Sequence, residues 1–221
     1  MRKNSKLLVS VVSAGIFLFT ASMETDADTQ NLLRKATIYT ADGAEKLIRS
    51  YEYDDNGNKT ELHFWAMGAD GSGWTHTTYE YDLSGIRTGC SISDDNKKLL
   101  GTCMYEYSED GNIITEYSYD NKGKLIFYTI NEYDGQDNLV KQENYWDDGT
   151  LASSTEYQIQ YDEDGRKEKA ARTDKYEREE GQETEESDIV IEYQWDEEGN
   201  LLSEQEYQNG ELVSYIEYQY E

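Results

Sequence analysis

The sequence predicts an all-β protein: an antiparallel hairpin meander of about a dozen strands, built from two-strand repeats of about 28 residues and forming a curved sheet, an open barrel or a solenoid-like stack. Three observations carry that expectation. A short turn motif recurs along the chain, proline is absent from all 221 residues, and 20 tyrosines and 4 tryptophans are spread through a strongly charged sequence. A β-ladder needs every backbone donor, so a chain made almost wholly of strands tolerates proline badly.

The motif reads Tyr51-Glu52-Tyr53-Asp54-Asp55-Asn56-Gly57, with copies at Tyr79 to Gly85, Tyr105 to Gly111, Tyr117 to Gly123, Tyr161 to Gly165 and Tyr193 to Gly199. Tyr-x-Tyr puts two rings on one face of a strand, because side chains alternate with period two. The Asp then opens a type I turn with its own carboxylate, and the Gly supplies the left-handed residue of a G1-bulge hairpin. Further corners lie at Ala41-Asp42-Gly43, Gly68 to Gly71, Trp146 to Gly149, Glu179-Glu180-Gly181 and Gln208-Asn209-Gly210. Gly43, Gly57, Gly71 and Gly85 fall fourteen residues apart, one strand plus one turn.

Tyr-x-Tyr-Asp-x-x-Gly followed by Asn or Arg resembles the YD repeat of the rearrangement-hotspot and teneurin type of bacterial secreted and surface proteins. Asp54 to Thr60 and Asp162 to Lys167 are the nearest copies, and the resemblance covers about 37–221. The spacing is longer than that family's, and the units are too few for its large closed shell. The resemblance implies a secreted or surface repeat protein; the enclosed toxin or neighbouring ligand-binding domains of that family are not carried over.

The chain opens with Arg2, Lys3 and Lys6, an apolar run from Leu7 to Phe19, and small residues at Ala21 and Ser22. This has the form of a secretory signal peptide, residues 1–22; an uncleaved anchor is the competing reading. A lead-in, 23–36, then precedes one repeat domain, 37–221, whose first strand is Ala36 to Thr40. Losing three cations and no acids with the signal peptide takes the formal charge from −27 to −30. Such a surface excludes nucleic acid and anionic membrane as partners and disfavours edge-to-edge pairing.

Aliphatic residues are few, so the aromatic rings, at on the order of 150–250 Å² each, must supply most of a core. In Ile189 to Trp195 the odd positions are Ile, Ile, Tyr and Trp and the even ones mostly polar, a strand with one wet face. Leu62 to Met67 is apolar on both faces and reads as covered twice. Arg166 to Asp188 is charged and reads as an extended hairpin about Gly181, with a short helix or an excursion as alternatives.

The tyrosines Tyr53, Tyr81, Tyr107, Tyr133, Tyr161, Tyr193 and Tyr220 recur at strand ends. With Trp65 and Trp74 they are either core or a ligand-facing row that stacks on sugars or partner side chains. Cys90 and Cys103 flank Ser93 to Lys97; opposed across a turn centred between Asn96 and Lys97 they would form a disulfide, and with Asn96 in the glycine position they would face apart. His63 and His76 flank the Gly71 turn. A G1-type corner there pairs His63 with Thr77, places the two histidines on opposite faces and leaves no shared metal site. Asp54/Asn56/Asn58 and Asp162/Asp164 space oxygens as calcium ligands would, yet lack the full loop, so neither a metal nor a cofactor is expected. No nucleophile, zinc or phosphate motif is present, which points away from an enzyme. The expected function is an exported binding module for carbohydrate or cell-wall polymer; the alternatives are a structural or protein-interaction element of a surface assembly and, more weakly, a secreted hydrolase.

Overall fold

The computed structural model describes residues 32–68, 71–176 and 185–221; the signal-peptide segment, most of the lead-in and the tip around Gly181 lie outside these. Fourteen strands follow one another: β1 Leu33–Thr40, β2 Glu45–Tyr53, β3 Lys59–Gly68, β4 Gly71–Tyr81, β5 Arg87–Asp94, β6 Leu99–Tyr107 and β7 Ile113–Asp120, then β8 Leu125–Tyr133, β9 Leu139–Trp146, β10 Leu151–Tyr161, β11 Lys167–Tyr176, β12 Glu185–Trp195, β13 Leu201–Gln208 and β14 Glu211–Tyr220. Each pairs antiparallel with its neighbours in sequence, and β1 pairs with β14, so the meander closes into a barrel. Leu33 lies opposite Tyr220 and Ile38 opposite Ile216. The first strand thus begins ahead of Ala36. Closure leaves no edge among the described strands to be blunted.

The corners follow from the motif. In Asp54 to Asn58 the Asp54 carboxylate accepts the backbone N–H groups of Asn56 and Asn58, both at 2.9 Å. Gly57 donates back to the Asp54 carbonyl at 3.1 Å with φ of 84°. The same arrangement recurs at Asp82, Asp94, Asp120, Asp134 and Asp162. Three corners put a non-glycine in the left-handed position: Lys97 and Asp137, each at φ of 59°, and Asn209 at 53°. With Lys97 rather than Asn96 in that place, Cys90 lies directly opposite Cys103, and the two form a disulfide with Cα atoms 4.9 Å apart.

On most strands the buried side chains alternate with more exposed ones and lie on the inner face, while Ala36-Thr37-Ile38 and Ser153-Ser154-Thr155 are buried on both faces. On β2 these are Leu47, Arg49 and Tyr51; on β3, Leu62 and Phe64. Leu47, Tyr51, Leu62 and Phe64 form one apolar cluster with Ala36, Ile38 and Ile216, while Ala170, Ile189 and Ile191 form a second. His63 and Trp65, on the outer face of β3, are half-buried, so this strand is covered on one side only. The charged stretch after Arg166 forms the hairpin β11–β12, with Tyr176 opposite Glu185 at its outer end.

Between the apolar clusters the interior is polar. Thr129 donates to Asn144 at 2.8 Å and Asn144 to Ser153 at 3.1 Å. Thr155 donates to Asp174 at 2.9 Å; Arg172 joins Asp174, also at 2.9 Å, to Glu206. Every polar group in this belt is committed to a neighbour, as burial requires.

The corners generate a test of opposite signs. Nothing lies within 4 Å of a Cβ added at Gly111, which has φ of 90°, so Gly111→Ala meets only backbone strain and is expected to destabilise by about 1 kcal/mol in a urea melt. Lys97→Gly relieves that strain and is expected to stabilise by about 0.5 kcal/mol after the entropy cost of glycine.

Candidate functional site

The closing tyrosines point into the barrel, and their hydroxyls have partners. Tyr53 donates to the Leu33 carbonyl at 2.8 Å, Tyr81 to Lys59 at 2.6 Å and Tyr107 to Arg87 at 2.6 Å. Tyr133 donates to Ile113 at 3.0 Å and Tyr220 to Leu201 at 3.0 Å. In each case the last aromatic of a hairpin bonds the first residue of the same hairpin's opening strand. Trp195 fills that role on β12, its indole N–H reaching the Lys167 carbonyl at 2.8 Å. Tyr193, expected at this level, lies one layer deeper, as Tyr51 and Tyr79 do. Tyr161 instead donates to the Asp134 carboxylate.

Deeper in, the Arg87 guanidinium sits between the rings of Tyr79 and Tyr105, 4.9 and 4.7 Å from their centroids. Glu116 faces the same space from β7, opposite Tyr105 and Thr129. Burial raises its pKa to about 7, while the Arg87 guanidinium pulls it down. Burial likewise pushes the phenols of Tyr79, Tyr105, Tyr107 and Tyr133 up, the last to about 12.

Aromatic rings also stand on the outer wall, and most of these were not singled out from the sequence. Tyr117, Tyr128 and Tyr145 are cross-strand neighbours on β7, β8 and β9, and Tyr128 stacks on Tyr145 with centroids 5.0 Å apart. Their hydroxyls meet acids: Tyr117 donates to Glu106 and Tyr145 to Glu143, each at 3.1 Å. Trp65 and Trp74 are direct partners on β3 and β4, outward and half-buried. Tyr39 and Tyr215 stack at 4.8 Å across the β1–β14 closure. Beside Tyr215 lies a shallow open groove of about 540 Å³ across β12–β14, lined by Gln194, Ser203, Gln205, Glu217 and Gln219 among others. Ser203 donates to Gln194 at 3.1 Å, and Tyr207 to Gln205 at 2.7 Å.

The histidines depart from expectation. Gly68 pairs with Gly71, so the link between β3 and β4 is two residues long, and His63 lies directly opposite His76. One residue of register reverses a side chain's face, and here it brings both histidines onto the outer wall. Their Nδ1 atoms are 2.7 Å apart. The Asp54 and Asp162 carboxylates, weighed as calcium ligands, are engaged by their own corners.

The fold and surface define a closed antiparallel barrel with an aromatic interior and a polar, acidic outer wall. It is similar to a porin-like protein from Bacteroides uniformis, at 13% identity over 86% of this chain and 98% of that one, with a TM-score of 0.50. It is also similar to part of the TcdB2–TccC3–Cdc42 complex, at 16% identity over 80% of this chain and 9% of that one, TM-score 0.34. A candidate lipoprotein from Parabacteroides distasonis matches at 13% identity over 87% and 95%, TM-score 0.31. No family model matches the chain, and neither does any curated protein. At such identities the likeness is one of fold alone.

Glu116 sets a pH test. The unfolded carboxyl loses its proton near 4.5 and the folded one near 7, so between these values the folded state holds more protons and stability falls as pH rises. Glu116→Gln removes that penalty: relative to the parent chain its urea midpoint is expected to climb from pH 4.5 to 7, reaching on the order of 3 kcal/mol. A constant difference across that range would show that Glu116 does not titrate there.

Proposed function

We propose that this protein is an exported, non-catalytic barrel whose outer wall binds carbohydrate or cell-wall polymer in the groove across β12–β14. The observation that carries this reading is the lining of the groove. A tyrosine held by a stacked partner stands beside three primary amides and a hydroxyl, a set that offers a sugar ring both an apolar face and paired donors and acceptors. Gln194 and Gln205 accept hydrogen bonds through their Oε1 atoms, so their N–H groups are the donors on offer. Glu217 is the one carboxylate of the lining, which favours binding over a two-carboxylate hydrolysis.

The outer wall supports a place in water. Glu52, Glu80, Glu106 and Glu132 each stand exposed between two inward positions on alternate strands. Charged side chains on a lipid-facing wall are costly, so these support a barrel beyond the membrane rather than in it. The signal-peptide form of residues 1–22 supplies the export step. The recurring Asp corner supports assigning the repeats to the YD type, here in a barrel closed by its own ends.

One observation favours a second reading, contact with another surface protein. The row Tyr117, Tyr128 and Tyr145 is bordered by Met104, 56% exposed, and Ile130, 37% exposed, an apolar strip on an otherwise acidic wall.

Binding of the chain to a panel of soluble and insoluble glycans separates these readings. Tyr215→Ala is expected to weaken retention by the bound glycan about tenfold, the worth of one stacked ring, while Tyr128→Ala leaves it unchanged. Equal retention of the parent and Tyr215→Ala proteins would overturn the assignment to the groove.

A further inference from the structure

Four side chains on the outer wall of β2, β3 and β4, Glu52, Glu61, His63 and His76, converge in one place. Glu52 and Glu61 are direct register partners, and His63 follows Glu61 on the same face. The His63 Nε2 lies 3.0 Å from Glu52 Oε1 and 3.5 Å from Glu61 Oε2, and the ligand atoms of all three residues fall within 4.8 Å of one another. His76 lies opposite His63, and its own Nε2 is 3.3 Å from Asp95 Oδ1.

Two features of this cluster need an explanation. The first is charge: two glutamates directly opposite each other on neighbouring strands repel. The second is the count of protons. His63 Nε2 to Glu52, His63 Nδ1 to His76 Nδ1, and His76 Nε2 to Asp95 are three contacts, and each requires one N–H. Two neutral imidazoles carry two N–H groups, so the third contact needs a further positive charge, either a proton that turns one imidazole into an imidazolium or a metal ion in place of that proton.

A divalent metal supplies it. Bound at His63 Nε2 with one oxygen from each glutamate, it replaces the missing proton. His63 is then neutral with its proton on Nδ1, donating to His76 Nδ1, and His76 is neutral with its proton on Nε2, donating to Asp95. Every contact is satisfied with no imidazolium. A metal-bound histidine held through its other nitrogen is the usual outer-shell arrangement, and here the holder is a second histidine anchored by a carboxylate. The spacings suit the ion: ligands about 2.1 Å from a tetrahedral zinc lie about 3.4 Å apart. We propose that Glu52, Glu61 and His63 form a zinc site with an open fourth position, and that His76 and Asp95 position His63. One imidazole and two carboxylates also suit neighbouring first-row ions, but not calcium, which prefers oxygen throughout.

The chain has only 2 histidines, so long-range 15N–1H NMR of their imidazoles reads the site directly in the intact protein. Titration with zinc chloride is expected to displace the His63 Nε2 resonance with saturation at one equivalent, leaving His63 in the Nδ1–H form and His76 in the Nε2–H form. Calcium chloride should move neither. His76→Phe is expected to weaken zinc binding about tenfold and Glu61→Gln by at least as much, with thermal melts confirming that each variant folds. Zinc uptake by His63→Ala equal to that of the parent chain, or His63 resonances unmoved at one equivalent, would overturn the site and leave only adsorption to an acidic surface.

Discussion

The structure depends on a hydrogen bond, made in six of the seven hairpins, from the last aromatic to the first carbonyl of the same hairpin. It places a large ring inside the barrel, ties the two open ends of the hairpin together and fixes which face of every strand is inner. Each such bond contributes only about 1 kcal/mol, yet repetition makes the direction consistent around the wall. The residue between two inward rings must then face out, and in Tyr51-Glu52-Tyr53, Tyr79-Glu80-Tyr81 and Tyr105-Glu106-Tyr107 that residue is a glutamate. One short motif therefore encodes strand end, inner ring and outer charge.

A fourteen-stranded barrel is wider than the eight-stranded kind that ordinary aliphatic side chains can fill. This chain, poor in aliphatics, meets that demand with long side chains carrying polar tips. Tyrosine rings cover the lower part of the space and arginines reach across it, Arg87 between two rings and Arg172 between two carboxylates. Such burial costs desolvation, and the raised pKa of Glu116 is the plainest sign of that cost. The side chains of the polar belt from Thr129 to Glu206 are paired with one another. The interior is thus spent on structure.

Much of the fold was legible because its code is local. The Asp corner names its turn, and the absence of proline names the ladder. What escaped was parity. Tyr117-Ser118-Tyr119-Asp120 repeats the corner of Tyr51-Glu52-Tyr53-Asp54, but at the other end of the barrel, where Tyr117 and Tyr119 face out and Ser118 is buried. No single strand reveals which end it belongs to; its odd or even place in the strand order does. The corners at Asp94 and Asp134 carry Lys97 and Asp137 in the left-handed place that glycine fills at Asp54 and Asp162. The histidine cluster was hidden by one residue of register at the Gly68–Gly71 link, and a two-residue turn considered beside the three-residue one would have revealed it. The stacked pair Tyr39 and Tyr215 joins residues from the two ends of the sequence, so only closure brings it into being.

The central claim is that closure sorts the tyrosines into an inner ring and an outer set. Hydroxyl-radical footprinting with residue-level mass spectrometry tests it most directly. The account predicts fast oxidation at Tyr117, Tyr128, Tyr145 and Tyr215 and marked protection of Tyr53, Tyr81, Tyr107 and Tyr133, with protection lost on unfolding in urea. Equal oxidation rates for the two sets in the folded protein would contradict it.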